Sequence, residues 1–89
     1  MNAGWGVWIE AEHYKFVGGC LAAARREANV TQQELAAKLR KPQSFVSEYE
    51  RGQRRVDVVE FLKIVSAFGA DPVELFAEIV GSLASPDHS

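Results

Sequence analysis

The sequence predicts an all-α domain of five short helices packed into one compact core. Apolar residues recur at helical spacing through most of the chain, which is the primary signal. Thr31 with Glu34, and Asp57 with Glu60, each place a capping residue three positions ahead of a glutamate, the signature of a helix start. With 89 residues and 47% apolar content there is enough for one core and no room for a second.

Taken in order, residues 1–12 form an extension whose Trp5, Val7, Trp8 and Ile9 are unusually apolar for a loose tail. They are expected either to pack on the body or on a second subunit, or to be disordered. Residues 13–29 read as the first helix, with Phe16, Val17, Leu21 and Ala24 supplying apolar contacts. Gly18 and Gly19 lie inside it, and each costs about 1 kcal/mol relative to alanine. The pair therefore signals a close backbone approach, a bend, or simply a poorly formed first turn.

The second helix opens where the Thr31 hydroxyl accepts a backbone N–H while Glu34 reaches back, and Leu35, Ala36 and Leu39 share its inner face. Arg40 and Lys41 are all that remains for a turn. Pro42 needs no backbone N–H and suits the first turn of a third helix, with Val46, Tyr49 and Glu50 on an inward stripe. Asp57 and Glu60 open a fourth, whose Phe61, Leu62, Ile64, Val65 and Phe68 face the core and which Gly69 closes. Asp71 and Pro72 start a fifth, through Leu75, Phe76 and Ile79, and residues 81–89 are expected to fray.

Charge is unevenly spread. The net value is −2, yet residues 25–55 hold eight bases and four acids, a net +4, so the remainder carries −6. Affinity for phosphate follows local positive charge, so a basic face opposite an acidic body is compatible with a nucleic-acid partner. A single cysteine, Cys20, excludes an internal disulfide, and His13 and His88 do not make a metal-ligand set, so a cytoplasmic protein without metal or cofactor is expected. The apolar run 17–24 is far shorter than the roughly 20 residues a bilayer demands. Glu10 and Glu12, with no early Lys or Arg, do not suit a secretion signal, so no membrane partner is expected. Cys20 has only His13 near it in sequence, and there is no phosphate-cradling loop, so an enzyme is not expected.

The run TQQELAAKLRKPQSFVSEYERGQRR, preceded by Leu21 and Arg25 in LAAARREANV and followed by VVEFLKIVSAFGADPVELF, resembles the helix-turn-helix of the Cro and phage-repressor, or XRE, family. The likeness extends from about residue 21 to about residue 76 and implies a lambda repressor-like fold over 13–80, its turn motif spanning about 31–50. In such a fold the third helix enters the major groove of double-stranded DNA. The resemblance implies base reading by Gln43, Ser44 and Glu48. A Gln43 amide would pair bidentately with adenine, whereas Glu48 would either accept from cytosine N4 or pair with Arg51 or Lys41. Phosphate contacts are implied for Gln32, Arg40, Lys41, Ser47, Arg51, Arg54 and Arg55, with Phe45 lying against sugar and backbone and Ser47 letting the two helices approach closely. Arg25 and Glu50 correspond to the family's structural ion pair, and Phe76, Ile79, Val80 and Leu83 to its subunit contact. Arg40 stands where relatives usually have glycine, so the turn is expected either to be strained or to differ in geometry. The implied function is a sequence-specific transcriptional regulator, a homodimeric repressor on two half-sites. The alternative is an antitoxin or other module that binds a partner protein through the same fold.

Overall fold

The computed structural model describes residues 9–83. The expectations for Trp5, Val7 and Trp8, and for the last six residues of the tail, lie outside the described residues. The described residues form five helices: α1 (Ala11–Glu27), α2 (Gln32–Leu39), α3 (Gln43–Glu50), α4 (Val58–Ala67) and α5 (Pro72–Leu83).

Two of the starts are built as the residue types require. The Thr31 Oγ1 accepts from the Glu34 N–H at 3.0 Å while Glu34 accepts from the Thr31 N–H at 2.8 Å, and Asp57 and Glu60 repeat the exchange at 2.7 and 3.0 Å. α1 begins two residues earlier than expected, because the Glu10 N–H finds an acceptor in His13 Nδ1 at 2.9 Å. A poorly formed first turn is therefore not what Gly18 and Gly19 mark. Pro42 precedes α3 as its cap, with φ −67° and ψ 156°, rather than lying in its first turn. This leaves Gln43 as the first helical residue.

The ends share one device. After α1, α2, α3 and α4 a residue with positive φ follows: Asn29, Arg40, Gly52 and Gly69. In each case the next N–H turns back to a carbonyl five residues earlier, Val30 to Arg25, Lys41 to Ala36, Gln53 to Glu48 and Ala70 to Val65, at 2.8 to 3.2 Å. This is the Schellman closure, which satisfies carbonyls that the last helical turn would otherwise orphan. Arg40 takes φ 58° and ψ 45°, so the left-handed turn is kept without glycine.

α2 and α3 pack on each other, α1 supports α3, α4 supports α2, and α5 closes the bundle against α4 and α1. Leu21, Leu35, Val46, Tyr49, Ile64 and Val65 are completely or almost completely buried where these helices meet. Each such side chain is worth about 1.5–3 kcal/mol relative to leaving it in water. One inward assignment is corrected: Leu62 is 46% exposed, because the core-facing stripe of α4 runs through Phe61, Ile64 and Val65; Phe76 on α5 is 55% exposed, its ring meeting Phe61 edge to face at 5.9 Å.

Gly18 explains how α1 comes so close to α3. A β-carbon there would clash with the Tyr49 carbonyl oxygen and lie 2.8 Å from that of Glu50, whereas one on Gly19 meets nothing within 4 Å. Among the described residues, no helix is long and apolar enough to cross a membrane.

Candidate nucleic-acid interface

Because Leu35 and Ala36 anchor α2 and Val46 and Tyr49 anchor α3, the opposite side of α3 is left to solvent. Gln43 and Ser44 open that side at the helix N-terminus and Glu48 lies one turn on; all three are exposed. Ser47 is half-buried and donates its hydroxyl to the Ser44 carbonyl at 3.2 Å, a bond that keeps it close to its own helix. Arg40 and Lys41, in the turn before α3, and Arg51 and Arg55 after it, are exposed, so cations bracket the polar face at both ends.

Behind this face runs a chain of hydrogen bonds. Arg25 Nε and Nη2 donate to the two oxygens of the Glu50 carboxylate at 2.7 and 3.1 Å, and Nη1 donates to the Val30 carbonyl at 2.8 Å. The two side chains are only 8% and 6% exposed. Removing one partner would leave the other charged and dry, which costs about 3–5 kcal/mol. The Glu50 contact holds the Arg25 guanidinium above its ordinary pKa. Glu50 Oε1 also accepts from Gln32 Nε2 at 2.9 Å, and Gln32 Oε1 accepts from Gln43 Nε2 at 3.1 Å. The polar chain therefore starts at a buried ion pair and ends on the first exposed residue of α3. Gln32 is half-buried, tied to its neighbours rather than projecting as an isolated first-turn amide.

Several side chains stand differently from expectation. Phe45 is buried, its ring edge-to-face with Tyr49 at 5.5 Å, so it belongs to the core instead of lying against a sugar. Above its outer face sit Arg54, with Cζ 4.5 Å from the ring centroid, and Lys41, with Nζ at 5.6 Å. Arg54 is not a free loop cation: it donates to both Glu60 oxygens at 3.2 and 3.0 Å and to the Arg55 carbonyl at 2.7 Å. That bidentate bond holds Glu60 below its usual carboxylate range, with the Asp57 N–H adding to the effect. Glu48 forms an ion pair with neither Arg51 nor Lys41; among the described residues the pairs are Arg25–Glu50 and Arg54–Glu60. Arg51 instead donates to the Gln53 side-chain oxygen at 3.2 Å, and the Arg55 guanidinium lies 5.6 Å from the Tyr14 ring centroid. Ile79 is 5% exposed within the core, which removes it from a free subunit surface; Val80 and Leu83 are half-buried, leaving Phe76 as the most open of the four.

Sequence reading missed the Gln32–Glu50 contact and the Arg54–Glu60 pair. Glu60 was legible only as the partner of Asp57 in a cap, and no spacing rule links an arginine in a loop to a glutamate six residues on. Among the described residues there is no group of three or more His, Cys, Asp or Glu side chains placed to hold a metal ion.

The profile of the family described as helix-turn-helix matches residues 21–75. A protein described as an uncharacterized HTH-type transcriptional regulator, y4dJ, from Sinorhizobium fredii is 38% identical over 61 residues, covering 68% of this chain and 79% of that one. Among solved structures, an XRE-family-like protein from Pseudomonas syringae is 41% identical with a TM-score of 0.72, over 79% of this chain and 85% of its own. The clp gene regulator ClgR from C. glutamicum is 30% identical with a TM-score of 0.72, over 80% and 92%. The restriction-modification controller protein C.AhdI from Aeromonas hydrophila is 37% identical with a TM-score of 0.64, over 75% of this chain and 100% of its own.

Proposed function

Since the chain belongs to the XRE family of helix-turn-helix proteins and is a DNA-binding transcriptional regulator, we propose that it acts as a sequence-specific repressor, a homodimer on two half-sites about 34 Å apart. The observation that supports this most directly is the exposed N-terminal end of α3, with Gln43 and Ser44 open to solvent and cations on either side. Gln43 reads adenine through its amide, Ser44 and Glu48 contact neighbouring base edges, and Glu48, free of an ion pair, accepts from cytosine N4. Arg40, Lys41, Arg51 and Arg55 hold phosphates and set the salt dependence without naming bases. Gln32 and Ser47 approach the backbone from either side of the turn, and Arg54 adds charge while its own bonds brace the loop.

The homodimer draws support from the apolar residues that α4 and α5 leave in water, Val58, Val59 and Leu62 on one helix and Val73 and Phe76 on the other. Repression would follow from occupying a promoter.

Fluorescence anisotropy with duplexes selected from a randomised pool, titrated across a salt series, tests the reading. A preferred sequence should out-compete random duplex, and log affinity should fall linearly with log salt. Binding that shows no sequence preference at any salt concentration would end the assignment.

A further inference from the structure

A guanidinium carries five N–H groups in one plane, and a pair of them on one edge matches two oxygens of a carboxylate or a phosphate. In Arg54 the edges are shared out unequally. Nη1 and Nη2 together face the Glu60 carboxylate, at 3.2 Å to Oε1 and 3.0 Å to Oε2, and the second hydrogen of Nη1 goes to the Arg55 carbonyl at 2.7 Å. Left without a bond among the described residues are the Nε–H and one Nη2–H. These two lie on one edge and form a fork able to hold two oxygens at once. The Phe45 ring lies beneath, 4.5 Å from Cζ to its centroid, so the plane of the guanidinium is held as well as its edge. The Arg54 side chain still keeps 37% of its surface in water. Glu60 is itself fixed: its Oε1 also accepts the Asp57 N–H at 3.0 Å in the α4 cap, and Phe61 beside it is buried in the core. A loop arginine ordinarily loses rotamer freedom when it grips a ligand, and affinity falls by that cost. Here the freedom is already gone in the unbound protein.

We propose that Glu60 is a positioning residue for phosphate binding: it takes the Nη1–Nη2 edge of Arg54 and so holds the guanidinium with its Nε–Nη2 edge open for a DNA phosphate. The proposal rests on the phosphate contact assigned to Arg54. It gives Glu60 a role beyond the cap of α4, and it makes the Arg54–Glu60 pair a means of orientation more than of charge, since the two charges cancel. A negative residue beside a DNA-binding loop would by itself weaken binding; one that orients the ligating arginine strengthens it.

The test uses the full chain, a duplex selected from a randomised pool and a random duplex, and compares Arg54→Ala, Glu60→Asp and the double variant. Glu60→Asp keeps the negative charge and withdraws it by one methylene, so the two-bond contact to Arg54 is lost while the charge of the face is not. Arg54→Ala should weaken both duplexes alike. Glu60→Asp should weaken both by about fivefold, with the preference between them unchanged. In the Arg54→Ala background, Glu60→Asp should have no further effect, because the residue it positions is gone. A Glu60 that only capped α4 would lower the melting temperature and leave the affinity of the folded protein as it was. Native affinity in folded Glu60→Asp, with binding weakened in Arg54→Ala, would overturn the positioning role and leave the phosphate contact standing. Losses that add in the double variant would overturn it equally. Native affinity in Arg54→Ala would overturn both.

Discussion

Tyr49 shows how much one side chain can be constrained by its neighbours. Its ring is 1% exposed and its hydroxyl has no hydrogen-bond partner among the described residues, so the phenol is a buried polar group without compensation. Burial pushes its pKa above the ordinary 10.0, and the nearby Glu50 charge adds to the rise. The sign follows directly. Below pH 10 the phenol is protonated in both states and stability is unaffected. Above it the unfolded chain loses the proton first, so stability falls as pH rises. Thermal melts of the native protein should therefore drop steeply above pH 10, while Tyr49→Phe should drop less and at pH 7 should be as stable as the native chain or more so. A Tyr49→Phe variant with the same alkaline loss would show that the phenol is not responsible. Glu60 is the opposite case at the surface, held low by Arg54, but its exposure gives it little leverage on stability.

At the scale of the element, the turns and the helix contacts carry the consequences. Gly18 and Gly19 are neighbours in sequence with opposite roles. Gly18→Ala forces a β-carbon into the α3 carbonyls and should destabilise by about 1–3 kcal/mol, whereas Gly19→Ala, on an open face of α1, should stabilise by roughly 0.5–1 kcal/mol. Urea denaturation of the two variants resolves a difference of that size, and equal effects would contradict the close approach of α1 to α3. Arg40 offers a second case. A side chain in the left-handed region costs about 1–2 kcal/mol, partly offset by the entropy glycine loses on folding. Arg40→Gly is thus expected to stabilise the fold by a net of about 1 kcal/mol and so to raise the denaturation midpoint. It should also weaken DNA binding at low salt, since an exposed cation is lost. A lowered midpoint would mean that Arg40 makes contacts worth more than its backbone strain.

For the whole molecule, the distribution of charge and of apolar surface matters more than any total. The net charge of −2 conceals a basic stretch that contains the turn, α3 and the loop after it. Apolar side chains left in water by α4 and α5 are the part of the surface that a second copy would cover. Sedimentation velocity should show a concentration-dependent dimer, and Phe76→Glu, at a position 55% exposed, should shift it toward monomer while leaving the helical content unchanged. A native chain that stays monomeric at every concentration would remove the homodimer, though not the DNA-binding helix.

The sequence by itself determined where α2 and α4 begin and most of the faces that turn inward, because caps and apolar periodicity are interactions between residues three or four apart. Thr31, Asp57, Leu21, Val46 and Ile64 could be placed from such neighbours alone. It also marked the Gly18-Gly19 pair as unusual, with a close backbone approach as one of three causes, and left open which cause and which glycine. Only the tertiary structure decided which partners the polar side chains take: Gln32 meets Glu50 across 18 residues, Arg54 folds back onto Glu60, and Phe45 turns into the core beneath two cations. The reason is geometric. Such contacts depend on the angle and distance at which packed helices cross, and a shift of one ångström there makes or breaks a hydrogen bond while leaving every local pattern in the chain unchanged.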